Sequence, residues 1–115
     1  MTPEEAKQHL HNLLGPQLVF NKEFDKYFSI LKDSMQQSLM SWCKNCKDDV
    51  AEGSVPDNSK FKDRWVFFRK IGSDVRCTLV KLKNSDFIEI HLTDHKEYDD
   101  IRLMFGYKKS SYYGS

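Results

Sequence analysis

Apolar residues recur along this chain with two different periods, and the change of period divides it. Ala6, Leu10, Leu13 and Leu14 fall on one helical face. Their helix starts at Thr2-Pro3-Glu4-Glu5, where Thr2 is placed to cap, Pro3 takes the first helical position and Glu5 closes a capping box. Gly15-Pro16 ends it. Leu18-Val19-Phe20 is long enough only for a short strand. Asn21 is placed to cap a second helix, with Phe24, Tyr27, Phe28 and Leu31 at i, i+3, i+4 and i+7. Lys32-Asp33 marks a break, and Ser34 with Gln37 forms another candidate capping box. Met35, Leu39, Trp42, Cys43, Cys46 and Val50 continue at helical spacing. These two segments read as an antiparallel hairpin or as one long kinked helix, and the new cap at Ser34 favours the hairpin. Residues 52–58 are rich in Gly, Ser, Pro, Asp and Asn and read as a loop.

From Lys60 the period becomes two. Residues 64–71, 75–82 and 87–92 are three strands joined by turns at Gly72-Ser73-Asp74 and at residues 83–86. Asp94 caps a last helix carrying Tyr98, Ile101, Met104 and Phe105 on its apolar side, and Gly106 can end it. The fold class is therefore α+β: an N-terminal helix and a helical hairpin on one face of a small antiparallel sheet, with a short C-terminal helix. Short turns also fix the register. Leu82 should face Phe87, Val80 Glu89, Thr78 His91, Lys70 Arg76 and Phe68 Thr78. One sheet face then carries Trp65, Phe67, Cys77, Leu79, Ile88, Ile90 and Leu92 and belongs under the helices. The other carries Arg64, Phe68, Lys70, Arg76, Thr78, Glu89 and His91. A one-residue slip would exchange a strand's faces.

That second face combines cations, an imidazole and an aromatic ring. Cations bind phosphates and aromatic rings stack on unpaired bases. A solvated face with ordinary charges is the plain alternative, and charge segregation argues against it. The whole chain has 18 Lys and Arg against 17 Asp and Glu, a net charge of +1. Residues 60–83 alone hold eight basic side chains against two acids, or +6, while the flanks are acidic. At 115 residues the chain is long enough for a single domain, with residues 108–115 as a tyrosine-bearing tail. It has no apolar run of membrane-spanning length and no signal-peptide pattern, so the expected location is the cytoplasm.

Trp42-Cys43-Lys44-Asn45-Cys46 contains a Trp-Cys-x-x-Cys pattern. Both cysteines lie inside a helical pattern on its apolar stripe, so core packing is the better reading than a redox motif at a helix start. No second ligand pair suggests a metal site. The Gly-rich phosphate loop, the Gly-x-Ser-x-Gly elbow and the His-Glu-x-x-His motif do not occur. No cofactor is expected.

Without its first helix, the element order resembles the RelE/HigB/ParE superfamily of bacterial and archaeal toxins, and is closest to the HigB- and RelE-like members. Leu18-Val19-Phe20-Asn21-Lys22-Glu23-Phe24 is similar to the family's opening strand and helix. Gly72-Ser73-Asp74-Val75-Arg76 resembles the turn and arginine that open its middle strand. Asp94-His95-Lys96-Glu97-Tyr98-Asp99 is similar to the His-x-x-Tyr-Asp segment that follows the last strand in HigB-like members. The resemblance covers residues 17–107 and leaves residues 1–15 as an extra helix. It implies a metal-independent messenger-RNA endonuclease, acting on the ribosome and neutralised by a cognate antitoxin protein. In that chemistry the ribose 2′-OH attacks the adjacent phosphate, which needs a base, cations for the developing charge and an acid for the leaving oxygen. By position, Arg76 would stabilise the phosphate, His95 would act as base or acid, Lys96 would supply a cation and Tyr98 would match the motif tyrosine. Lys60, Lys62 and Arg64 correspond to message-gripping lysines, and Phe68, Lys70 and His91 join them through the face argument. Tyr98 also fits simple packing, and His95 fits a bond near a helix start. The tyrosine that family members often carry near the C-terminus has no clear counterpart here, although Tyr112 or Tyr113 could swing in from the tail. The alternative function is a non-enzymatic module on the same fold, either a ParE-like inhibitor of a protein target or an inert member.

Overall fold

The first helix, α1 (Pro3–Leu14), begins as its sequence dictates. Thr2 Oγ1 accepts from the Glu5 N–H at 3.1 Å, and the Glu5 carboxylate accepts from the Thr2 N–H at 2.8 Å. In the computed structural model, which describes residues 1–110, β1 (Leu18–Phe20), α2 (Phe24–Ser29) and α3 (Asp33–Asp48) follow. A 3-10 turn at Val50–Gly53 then leads to β2 (Arg64–Lys70), β3 (Arg76–Leu82), β4 (Ile88–Thr93) and α4 (His95–Met104). Tyr112 and Tyr113 lie outside the described residues. No helix among the described residues is long and apolar enough to cross a membrane.

The strands lie in the order β1-β4-β3-β2. Strands β2, β3 and β4 form the expected antiparallel meander in the expected register, with Lys70 opposite Arg76, Phe68 opposite Thr78 and Thr78 opposite His91. Strand β1 joins β4 in parallel, so the sheet is mixed rather than wholly antiparallel. The face carrying Phe67, Cys77, Leu79, Ile88, Ile90 and Leu92 packs under α1, α2 and α3 with Leu10, Phe24, Phe28, Leu39 and Cys43.

Two helix starts differ from the sequence reading. Asn21 does not cap α2, whose N-cap is Glu23 with no side-chain bond. Its amide instead bonds the backbone of Leu92 twice, donating to the carbonyl at 2.8 Å and accepting from the N–H at 2.9 Å. The side chain thus acts as one more rung between β1 and β4, at a point where the backbone turns away. Ser34 does not cap α3 either; the N-cap is Lys32, also without a side-chain bond. The buried Gln36 ties down this corner, donating to Leu31 O at 3.2 Å and accepting from the N-terminal ammonium at 3.1 Å.

A larger correction concerns the second sheet face. It is only partly open to solvent. Helix α4 and the loop before β2 cover it, burying Val66 and Val80 against Phe105, with Phe61, Phe68, Ile101 and Tyr107 around them. All five residues from Arg76 to Val80 are buried, because β3 is sandwiched between the two layers. The apolar side of α4 needs a partner, and the outward Val66 and Val80 supply it.

Asn21→Ala should lower the unfolding free energy by about 1–3 kcal/mol, since it strands two backbone groups of Leu92. Urea denaturation measures this, and hydrogen exchange at the Leu92 amide should quicken.

Candidate functional site

The turn between β2 and β3 is built around the side chain of Arg76. Ile71 and Gly72 both donate their N–H to Val75 O, at 3.1 and 3.3 Å, which closes the turn. The Arg76 side chain folds back into it, and Nη1 donates to the carbonyls of Gly72, Ser73 and Val75 at 3.0, 3.1 and 3.3 Å. Arg76 is 3% exposed, and its Nε has no partner among the described residues. A buried cation normally demands a counter-charge. Here peptide carbonyl dipoles do that work, and no carboxylate lies within 4 Å of it among the described residues.

Arg76 is opposite Thr93 on β4, which places the start of α4 beside the same turn. Asp94 caps that helix, accepting from the Glu97 N–H at 2.8 Å. His95 and Lys96 follow, the imidazole about one-third exposed and the lysine exposed. His95 Nε2 lies 2.9 Å from Ser110 Oγ and 3.2 Å from Asp99 Oδ2. Ser110 donates both its hydroxyl and its N–H to Asp99 Oδ1, at 2.7 and 2.9 Å. The three side chains form a closed triangle. The Ser110 hydroxyl gives its hydrogen to the carboxylate, so His95 does not activate it as a nucleophile. The triangle fastens the segment after α4 to its first turns and orients the imidazole.

In front of these groups lies an open groove of about 650 Å³. The 72–74 turn contributes Ser73 and Asp74, α4 and its cap contribute Asp94, His95, Lys96 and Asp99, and α2 contributes Lys26 and Tyr27. Two lysines and an imidazole therefore face three carboxylates. This is a mixed site, suited to proton transfer more than to strong attraction of a polyanion.

The expected site residues separate into three groups. Lys70, Arg76, His95 and Lys96 gather at the turn end of the sheet. Lys60, Lys62 and Arg64 stand at the other end of β2, about 20 Å away at some 3.3 Å per residue. There Lys62 Nζ bonds Pro56 O at 2.8 Å, and the Arg64 guanidinium lies 4.8 Å from the Phe61 ring centre. Phe68, His91 and Tyr98 lie between and are engaged internally. Phe68 is not a free stacking platform: it meets Tyr98 and Tyr107 edge to face, at 5.4 and 4.9 Å between ring centres, with the Arg102 guanidinium 5.0 Å from its own. Tyr98 is fully buried, its hydroxyl has no hydrogen-bond partner among the described residues, and burial pushes that hydroxyl up against the pull of Arg102 and Arg76. It is a packing residue and does not reach the groove. His91 Nε2 sits 3.6 Å from Glu89 Oε2, within a pair of half-buried side chains.

Sequence reasoning missed four participants: Lys26, Tyr27, Asp99 and Ser110. Asp99 had a readable signal, since it lies four residues after His95 on one helix. Tyr27 was read only as an apolar position, and it is the tyrosine that lines the groove.

The cysteines stay outside this site. Cys43, Cys46 and Cys77 are buried and free, and burial drives the Cys46 thiol up to about 12. Thiols held so far from ionisation are inert at neutral pH.

Two carboxyls in this part of the fold are depressed. The contact with His91 holds Glu89 below its ordinary 4.5, against the effect of burial. Burial pushes Asp99 up, but the Ser110 bonds and the charges of His95 and Lys109 outweigh it and leave Asp99 below its ordinary 3.8. Both bind protons more weakly folded than unfolded. Their contribution to stability is complete above those ordinary values and is lost as pH falls through them towards the folded ones. Denaturant midpoints measured from about pH 6 down to about pH 3 should fall in that window, and Asp99→Asn should flatten the lower part. No family model, curated protein or solved structure matches this chain.

Proposed function

We propose that the protein is a RelE/HigB-like endoribonuclease that cuts messenger RNA on the ribosome and is held in check by a cognate antitoxin. The observation that carries this reading is the convergence of His95 and Lys96 on one groove whose 72–74 wall is held by the buried Arg76, in an element order that resembles that family. His95 is the base that takes the 2′-OH proton. Its Nε2 edge is committed to Asp99 and Ser110, so Nδ1 is the nitrogen that exchanges protons. Lys96 Nζ offsets the charge that grows on the phosphate oxygens. Arg76 acts at one remove: its guanidinium holds the 72–74 turn in shape and adds positive potential behind it. With Tyr98 buried, Tyr27 takes the place of the family's tyrosine as proton donor to the leaving 5′-oxygen. The mixed charge of the groove fits an enzyme that relies on the ribosome to present its substrate.

One observation favours the non-enzymatic module instead. Nη1 of Arg76 is already occupied by three carbonyls of its own chain.

Adding the purified protein to a translating extract and mapping message ends distinguishes the two. The proposal expects cuts that leave 2′,3′-cyclic phosphates. His95→Ala should reduce their rate by about 10²–10⁴-fold, the usual worth of a general base. Lys96→Ala and Tyr27→Phe should each reduce it less, with unchanged folding. Growth arrest on expression without any cut message would instead support the non-enzymatic module.

A further inference from the structure

Strand β2 is an edge of the sheet. Two flanking contacts give the phase of its hydrogen bonds. The Ile71 N–H donates to Val75 O at 3.1 Å, and the Lys83 N–H donates to Asp63 O at 2.8 Å. Both pairs continue the ladder in which Phe67 faces Leu79 and Arg69 faces Cys77. Bonded and non-bonded pairs alternate along an antiparallel ladder. Trp65, Phe67 and Arg69 therefore direct their backbone groups to β3, while Val66, Phe68 and Lys70 turn theirs outward. Arg64 obeys the same phase, since its N–H reaches away from β3 to Phe61 O at 3.3 Å. Ser54 bridges the edge at Trp65, and beyond that bridge no strand covers it among the described residues.

A cleft of about 300 Å³ touches Val66, Phe67 and Phe68. Consecutive strand residues point to opposite faces, so a cleft that touches all three lies over the edge itself. Trp42 and Glu52 wall it on the α3 side, and Arg102 and Tyr107 on the α4 side. A second cleft, of about 290 Å³, continues from Trp42 past Ser41 and Asn45 to Arg69. The two clefts of this trough share Trp42, one lying over the edge at residues 66–68 and the other reaching Arg69.

We propose that this trough binds an extended, acidic peptide strand of a partner protein, which adds to β2. An added strand bonds to outward backbone groups and sends alternate side chains to the two sides of the sheet. The outward groups of Phe68 and Lys70 and the clefts beside Trp42 and Arg102 match both requirements. Arg69, Lys70 and Arg102 outnumber Glu52 and Asp49 around the trough and favour carboxylate-bearing side chains. A second copy of β2 added in parallel and in register would set Arg64, Arg69 and Lys70 against their own kind, which disfavours that self-pairing. RNA has no ladder of amides and carbonyls to match the edge. The trough is separate from the His95 groove, and the inference does not rest on the RNA reading.

Panning a displayed library of ten-residue linear peptides against the full chain tests this. Binders should alternate apolar and acidic residues, lose at least tenfold in affinity against Arg69→Glu, and slow hydrogen exchange at the Phe68 and Lys70 amides. N-methylation of alternate backbone amides in a binder should abolish binding. A library without binders, binders that leave those two amides unprotected, or an oligouridylate that protects them where peptides do not, would overturn the proposal.

Discussion

Burial of both faces of β3 is the constraint on which the rest of the molecule depends. From Arg76 to Val80 the strand has no solvent side. Cys77 and Leu79 enter the core under α1 to α3, and Val80 enters the smaller one under α4. Arg76 lies in the same strand and cannot reach bulk water. Its charge must be met within the chain, and the nearest polar groups are the carbonyls of the turn it follows. Hydrogen bonds to a charged group are worth about 1.5–3 kcal/mol each. The two hydrogens of Nη1, shared among three carbonyls, shape the 72–74 turn, and that turn forms one wall of the groove in which His95 and Lys96 stand. The groove is thus a consequence of where a cation was buried.

This arrangement also changes what the +6 block means. Read as a string, residues 60–83 suggest one basic surface. In space the block is dispersed. Arg76 is internal, Arg64 lies over Phe61, and Lys81 and Lys83 both lie 5.7 Å from the Trp65 ring. Such contacts contribute about 0.5–1 kcal/mol each at exposed sites. Much of the block therefore serves packing and edge protection, and the cations left for a phosphate are few and divided between two ends of β2.

Register and the main core were legible in the sequence because short turns leave little freedom: two hairpin closures placed each partner of β3. The Thr2 capping box was legible because both partners are three residues apart. Asn21 was not, because its true partner, Leu92, lies 71 positions away and no local pattern announces it. The cover over the second face was half legible. Tyr98, Ile101, Met104 and Phe105 marked an apolar side on α4, of which Met104 stays exposed, but the outward Val66 and Val80 needed weighing against the charges beside them. Of the candidate site, His95, Lys96 and Arg76 were found by motif, whereas Tyr27 and Lys26 come from an element distant in sequence and meet them only through the fold.

The central claim is that RNA meets this protein at the 72–74 turn and the start of α4. Backbone amide shifts recorded while titrating an uncleavable 2′-O-methyl RNA test it most directly. The account predicts that the shifts concentrate at Gly72, Ser73, Asp74, His95 and Lys96, with the Tyr27 ring affected from across the groove. Shifts confined to residues 60–64, or an absence of shifts at any RNA concentration that the salt dependence of binding allows, would contradict it.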